Sequence, residues 1–305
     1  MAYGVVHKTA AGIGPRRPLL IAALAAASLL CFASASASAR SRARPPVSHG
    51  STYLALGDSV TFGYEEATVV PAPNYHDPRS FVAYPELAGR ELRLKVVNAA
   101  CTGETSASFI NTSAQSNGCE NSLGSKTGYR TLFPLHVRYR GSQLAFAVSY
   151  LRSHRRVRLV SLMIGANDLF LCQHTTPDGC LSSSEQQATL AKISRNVKRI
   201  VSSIRKRARY GGQLVIVNYF SLNYGSSLID GITRALNSTV DSAARPYGIK
   251  VADGFGALEP ATRIFGGDTC AAGLITRLSS GKCGVHPTRS GHSLLAYALL
   301  RAIRF

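Results

Sequence analysis

The chain has 305 residues, a formal net charge of +19 and an apolar fraction of 45%, and only 17% of its residues are charged. That balance excludes a self-repelling disordered chain, and with no Gly-X-Y repeat or sustained heptad, collagen-like and coiled-coil assemblies are excluded too. The excess of 35 Lys and Arg over 16 Asp and Glu points to an anionic surface as partner: nucleic acid, anionic lipid or cell wall.

The first fifty residues read differently from the rest. Lys8, Arg16 and Arg17 lead into an alanine-rich apolar run from Leu19 to Ala33, and Ala37-Ser38-Ala39 then offers an A-x-A cleavage site. This is the layout of a secretory signal peptide over residues 1–39, and it predicts an exported, extracellular protein. The competing reading is an uncleaved anchor, because the run is nearly long enough to span a bilayer. Small residues in its second half favour cleavage. The Arg16-Arg17 pair leaves twin-arginine export open beside the general route. Residues 40–50, rich in Arg, Pro and Ser, are expected to form a flexible spacer. Residues 51–305 then form one domain of about 255 residues. Without the three cations of the signal the net charge is +16, and without Arg40, Arg42 and Arg44 it is +13.

Six cysteines follow the signal: Cys101, Cys119, Cys172, Cys180, Cys270 and Cys283. An even number in an exported chain implies disulfides. Fifteen pairings are open to six cysteines. The sequential pairs 101–119, 172–180 and 270–283 are favoured, since each closes a short loop. A zinc site is the rival, but no C-x-x-C is present and the spacings are irregular. No metal is expected.

In chain order, short apolar runs at Tyr53–Leu56, Leu94–Ala100, Arg158–Ile164, Gln213–Tyr219 and Ile249–Ala252 read as parallel strands buried on both faces. Helical patterns separate them, at Phe81–Leu92, Gln143–Arg152, Glu185–Arg207, Leu228–Ala244 and Ser290–Ile303. In the third helix Leu190, Ile193, Val197, Ile200 and Ile204 recur as a core stripe, with Lys and Arg over much of the remainder. Alternating strands and helices predict right-handed crossovers and a three-layer α/β/α domain.

Chemistry-bearing residues fall where these strands end. The first strand runs into Gly57-Asp58-Ser59-Val60, which places a serine at a strand-to-helix turn. It is not a G-x-S-x-G elbow, because Thr61 stands where the second glycine belongs. After the second strand comes Cys101-Thr102-Gly103, whose glycine lets a backbone N–H approach a ligand closely. After the third comes Gly165-Ala166-Asn167-Asp168, with an amide suited to an oxyanion. Val285-His286-Pro287 precedes the last helix and supplies an imidazole that can take and return a proton. Each has a plainer reading as a cap, a turn or a surface histidine. It is the coincidence of four at predicted strand ends or helix starts that favours a site.

Together these residues resemble the SGNH hydrolases, also called the GDSL esterase/lipase family, from about Tyr53 to the last helix. Gly57-Asp58-Ser59-Val60 is similar to the first family block, Gly103 to the second, Gly165-Ala166-Asn167-Asp168 to the third and His286-Pro287 to the last. Phe81–Leu87 (FVAYPEL), Gln143-Leu144 and the six cysteines resemble the secreted actinobacterial-type branch. The resemblance implies a flavodoxin-like five-stranded parallel sheet in the order 2-1-3-4-5. It also implies Ser59 as nucleophile, His286 as base, and an oxyanion hole made by the Ser59 N–H, the Gly103 N–H and the Asn167 side chain. No cofactor is implied.

One position departs from the pattern. The family commonly has an Asp three residues before the histidine, and here that residue is Cys283. A backbone carbonyl, of Cys283 or Gly284, is therefore expected to orient His286, and a Cys270–Cys283 disulfide would fix it. Asp168 and Asp253 are weaker candidates. His292 is expected to be structural, Asp58 a turn acceptor, and Glu65–Arg79 a loop bordering the site.

The expected function is a secreted serine esterase or lipase forming an acyl-enzyme, with lipid or phospholipid esters as the narrower expectation. The alternatives are a carbohydrate acetyl esterase and a non-catalytic wall- or anion-binding protein on the same fold. The expected partners are the ester substrate and an anionic lipid or wall surface. A nucleic-acid partner is not expected, and the chain is expected to be a monomer.

Overall fold

Five apolar runs pair into one parallel sheet in a computed structural model of the protein, which describes residues 44–305. The proposed signal segment and residues 40–43 lie outside the described residues. Strand β1 (Thr52–Gly57) runs directly into a single helical turn, α1 (Ser59–Phe62). Helix α2 (Tyr84–Glu91) leads to β2 (Lys95–Asn98), and a long irregular stretch then carries the short α3 (Tyr129–Leu132). Next come α4 (Gln143–Ser153), β3 (Val157–Met163), α5 (Ala166–Thr175) and α6 (Ser183–Ser202). They are followed by β4 (Gln213–Val217), α7 (Ser227–Ala244), β5 (Lys250–Ala252) and α8 (Gly254–Thr262). An antiparallel pair, β6 (Ile275–Arg277) and β7 (Cys283–Pro287), precedes the last helix, α9 (Arg289–Ala302).

The strand order is β2-β1-β3-β4-β5, as the family resemblance implied, and every pairing in that sheet is parallel. Helices α2, α8 and α9 pack as one layer, and α4, α6 and α7 as the other. With the sheet between them this is the expected α/β/α domain. Parallel strands covered on both sides must be apolar along their length, and β1 and β4 are buried at every residue.

The local chemistry explains the element boundaries. The Ser182 side chain caps α6 by accepting from the Glu185 N–H. Ile193, Val197 and Ile200 face the core of that helix, while Lys192, Arg195, Lys198 and Arg199 are exposed. Its expected extension to Arg207 is instead a π-helical turn over Ser203–Arg207. The helix expected from Phe81 starts at Tyr84, because Pro85 lacks an N–H and suits only a first turn. Phe81 remains buried just ahead of it.

Part of the expected spacer, from Arg44, lies among the described residues. Val47 is buried and its N–H bonds the Arg304 carbonyl at 2.8 Å, while Arg44 Nη2 bonds the Tyr247 carbonyl at 2.8 Å. An apolar side chain with a place in the core holds this segment against the domain. The three favoured disulfides are present, Cys101–Cys119, Cys172–Cys180 and Cys270–Cys283. Among the described residues, no helix is long and apolar enough to cross a membrane.

Candidate active site

The turn after β1 is built around Gly57. Its φ is +148°, and a Cβ there would lie 2.3 Å from the Met163 carbonyl oxygen on β3. Only glycine fits so close to a neighbouring strand. The Gln143 side chain grips this residue twice: its Oε1 accepts from the Gly57 N–H at 2.6 Å, and its Nε2 donates to the Gly57 carbonyl at 2.9 Å. The same Nε2 reaches Glu104 Oε2 at 3.1 Å, so the end of β1 is tied to the loop after β2. Burial pushes the Glu104 carboxyl up to about 8, although Ser108 and Gln143 donate to it.

Asp58 caps α1. It accepts from the Val60 N–H at 3.1 Å and from the Tyr219 hydroxyl, and burial still raises its pKa to about 6. The expectation of a turn acceptor therefore matches its contacts. Ser59 follows at the first position of the helical turn, and its Oγ lies 3.0 Å from His286 Nε2. Two residues separated by 227 positions in sequence meet because β7 delivers His286 beside the end of β1.

On its other side His286 Nδ1 meets Glu66 Oε1 at 2.8 Å. This corrects the expectation of a carbonyl from Cys283 or Gly284. Glu66 enters from the loop after α1, and its Oε1 also accepts the Val285 N–H at 2.9 Å. Its Oε2 accepts from the Thr276 hydroxyl at 2.6 Å. Burial alone would raise the Glu66 pKa, but the bonds from His286, Thr276 and Val285 outweigh it and bring it down to about 2. An ionised carboxylate holding Nδ1–H leaves Nε2 as the acceptor facing Ser59, the tautomer that proton removal from serine requires. The Tyr64 ring packs edge-on against the imidazole with ring centroids 4.9 Å apart.

Neither weaker acid reaches His286. Asp168 accepts from both the N–H and the hydroxyl of Ser106, each at 2.7 Å, and Asp253 caps α8 through the Gly256 N–H. His292 is buried in the first turn of α9, with both ring nitrogens unpartnered among the described residues. Burial lowers its pKa to about 3, which makes it a far weaker proton acceptor than an ordinary imidazole.

Asn167 sits at the second position of α5, immediately beyond β3, and lines one cavity with Ser59 and His286. That cavity has a volume of about 280 Å³, and Leu169, Phe170, Leu222, Ile232 and Leu236 form much of its wall. Gly103 is not part of this wall. It is joined to Asn167 through Asn117, whose N–H bonds the Gly103 carbonyl at 2.8 Å and whose Nδ2 bonds Asn167 Oδ1 at 2.9 Å. Cys101, Glu104 and Cys119 are the described residues close enough to one another to suggest a metal site. Their two sulfurs are bonded to each other, so no thiolate is left to bind an ion.

The residues that sequence reasoning missed are Glu66 and Asn117. Glu66 had one available signal: two consecutive acids, Glu65 and Glu66, in a loop already expected to border the site, within a chain poor in acids.

Known proteins resemble this chain in sequence family and in fold. Residues 55–294 match the GDSL-like lipase/acylhydrolase family. The fold is similar to that of phospholipase A1 from Streptomyces albidoflavus NA297, at 20% identity and a TM-score of 0.56, over 83% of this chain and 99% of that one. An extracellular lipase from Streptomyces rimosus gives 18% identity and a TM-score of 0.54, over 83% of this chain and 100% of that one. An acetylxylan esterase from Geobacillus stearothermophilus gives 16% identity and a TM-score of 0.50, over 84% and 95%. At these identities the likeness is one of fold. No curated protein sequence gives a significant match. With the expected sheet order and a family match across most of the domain, the chain belongs to the GDSL-like lipase/acylhydrolase family of ester hydrolases.

Proposed function

We propose that the protein is an exported serine ester hydrolase that acts on esters with an apolar acyl chain. The observation that carries this reading is the hydrogen-bonded chain Ser59–His286–Glu66, with links of 3.0 and 2.8 Å. Ser59 Oγ attacks the ester carbonyl while His286 Nε2 takes its proton, and Glu66 stabilises the imidazolium that forms. The Ser59 N–H, the Gly103 N–H and Asn167 Nδ2 receive the negative charge on the carbonyl oxygen. His286 returns the proton to the departing alcohol. Water then hydrolyses the acyl-enzyme with His286 again as base.

The apolar cavity beside Ser59 favours an acyl chain over an acetyl group, since leucine, isoleucine and phenylalanine walls gain nothing from a two-carbon acyl unit. Support for export comes from the signal-like residues 1–39 and the three disulfides. The net positive charge suits a partner surface of anionic lipid or cell wall.

The test is hydrolysis of p-nitrophenyl esters together with fluorophosphonate labelling. Ser59→Ala should abolish both while the fold and disulfides remain. Unchanged turnover by that variant would remove Ser59 from the mechanism. A wild-type protein that neither labels nor hydrolyses any ester would favour a binding role on the same fold.

A further inference from the structure

We propose that Asn117 is a positioning residue that holds Asn167 and the Gly103 loop in the arrangement needed to bind the oxyanion. This inference rests on the ester-hydrolase reading above. It concerns a residue in neither the Ser–His–Glu chain nor the family motifs.

A side-chain amide is useful in an oxyanion hole only if its NH2, rather than its oxygen, faces the reacting carbonyl. The two ends of an amide have nearly the same shape, so packing alone selects weakly between them. Asn117 makes the selection chemically. Its Nδ2 donates to Asn167 Oδ1 at 2.9 Å, which turns Asn167 Nδ2 the other way. Asn167 Nδ2 makes no hydrogen bond among the described residues, and Asn167 lines the cavity with Ser59 and His286. The amide is therefore oriented from behind and free in front.

The backbone of the same residue packs on the second donor. The Asn117 N–H bonds the Gly103 carbonyl at 2.8 Å. Gly103 has a φ of +74°, and a Cβ there would lie 2.4 Å from the Asn117 carbonyl oxygen. So Gly103 must be glycine partly because Asn117 lies against it. One residue touches both groups beyond the nucleophile that are assigned to the oxyanion.

Asn117 is itself firmly held. The Cys101–Cys119 disulfide closes its loop. Ser116 donates to the Asn121 carbonyl and accepts from the Glu120 and Asn121 N–H groups. Gly118 N–H bonds the Asn121 carbonyl at 2.8 Å, and the Gly118 carbonyl accepts from Tyr129 N–H at 2.7 Å. The backbone that carries Asn117 is thus held in place, and its amide is set beside Asn167 with little reorganisation left for the reaction step.

The experiment measures kcat and KM on a p-nitrophenyl ester for Asn117→Ala, Asn117→Asp, Asn167→Ala and the double variant Asn117→Ala/Asn167→Ala. Thermal unfolding is followed for each. Losing one oxyanion donor costs on the order of 10²–10³ in kcat. Asn117→Ala frees the Asn167 amide and should lower kcat by roughly tenfold with KM within about twofold. Asn117→Asp presents an acceptor that draws Asn167 Nδ2 backwards, and should lower kcat by on the order of 10². In the Asn167→Ala background, Asn117→Ala should cost less than about twofold further, since its target is gone. Full kcat in folded Asn117→Ala, or an equal loss with and without Asn167, would overturn the proposal. If Ala unfolds the loop, a folded Asp variant with wild-type kcat overturns it too, and unfolding of both would make Asn117 a stability residue and reject the assignment. Absence of ester turnover and of fluorophosphonate labelling in the wild type would instead overturn the ester-hydrolase reading.

Discussion

Glu66 and His286 lie 220 positions apart in the sequence and 2.8 Å apart in space. The carboxylate extends from the loop after α1 and accepts from three donors on two other elements: Thr276, Val285 and His286. A carboxylate so satisfied stays ionised and can balance the charge that His286 gains during turnover.

Glu66→Gln should therefore retain substrate binding and lose rate. A neutral amide can hold the ring in place but neither secures the Nδ1–H tautomer nor stabilises an imidazolium, and the corresponding change costs on the order of 10⁴ in kcat in serine proteases. We expect a fall of at least ~10² in kcat with KM little changed. Steady-state kinetics on a soluble ester decides it, and a loss below threefold would return the orienting role to a carbonyl.

The same carboxylate links stability to acid. Its pKa is about 2 in the folded protein against an ordinary 4.5. Because the folded value is depressed, its contribution is fully present above pH 4.5 and drains away as the pH falls towards 2. Chemical unfolding midpoints should drop over that window in the wild type, and less steeply in Glu66→Gln.

Glu104 has the opposite sign. Its folded pKa is raised to about 8, so the folded state holds a proton that the unfolded chain has released above 4.5. Stability should decline as pH rises from about 4.5 to 8 and level off beyond. Glu66 is ionised in both states across most of that range and adds little slope. Glu104→Gln should flatten the decline, read from unfolding midpoints at pH 5, 7 and 9. A decline of unchanged steepness would show that Glu104 is not its source.

Removing the Cys270–Cys283 bridge separates tethering from charge. Cys270→Ala/Cys283→Ala should cost stability, about 3 kcal/mol for a loop of this length. In the folded variant the kcat loss should be smaller than that of Glu66→Gln, because Glu66 still holds the imidazole. Equal losses would mean that loop tension, rather than the carboxylate, orients His286.

Acyl preference should follow the cavity wall. Ile232→Phe fills part of the 280 Å³ space beside Ser59. Each excluded methylene costs about 0.8 kcal/mol, roughly fourfold in kcat/KM. Decanoate esters should suffer by more than tenfold while acetate esters change by less than threefold, and a uniform loss across the series would place the acyl chain elsewhere.

The sheet was legible because strands buried on both faces have to be largely apolar, as Leu214–Val217 is throughout and Leu159–Met163 is apart from Ser161. Ser59 and Asn167 were legible because reacting groups in such sheets gather where strands end, and His286 because it stands just ahead of the last helix pattern. Glu66 was not, since its partner lies on a distant loop and sequence reasoning looked for an acid beside His286. Helix α8 escaped notice for a local reason. It opens with Gly254 and Gly256 and contains Pro260, residues of poor helix propensity that the Asp253 cap and packing on α9 override. The β6–β7 pair is short and joined by polar residues, so its pattern is too brief to read.

Gln143 carries a broader consequence. By clasping both polar groups of Gly57 and reaching Glu104, it makes the serine turn and the loop of Gly103 a single block. His286 and Glu66 belong to a separate block, stitched together by the bonds from Thr276 and Val285. On the proposed mechanism, one block receives the developing negative charge and the other moves the proton. Sequence change in the loop after α1 can thus retune the acid–base half while the charge-binding half keeps its shape, a division of labour that lets one scaffold drift between ester chemistries without rebuilding its nucleophile.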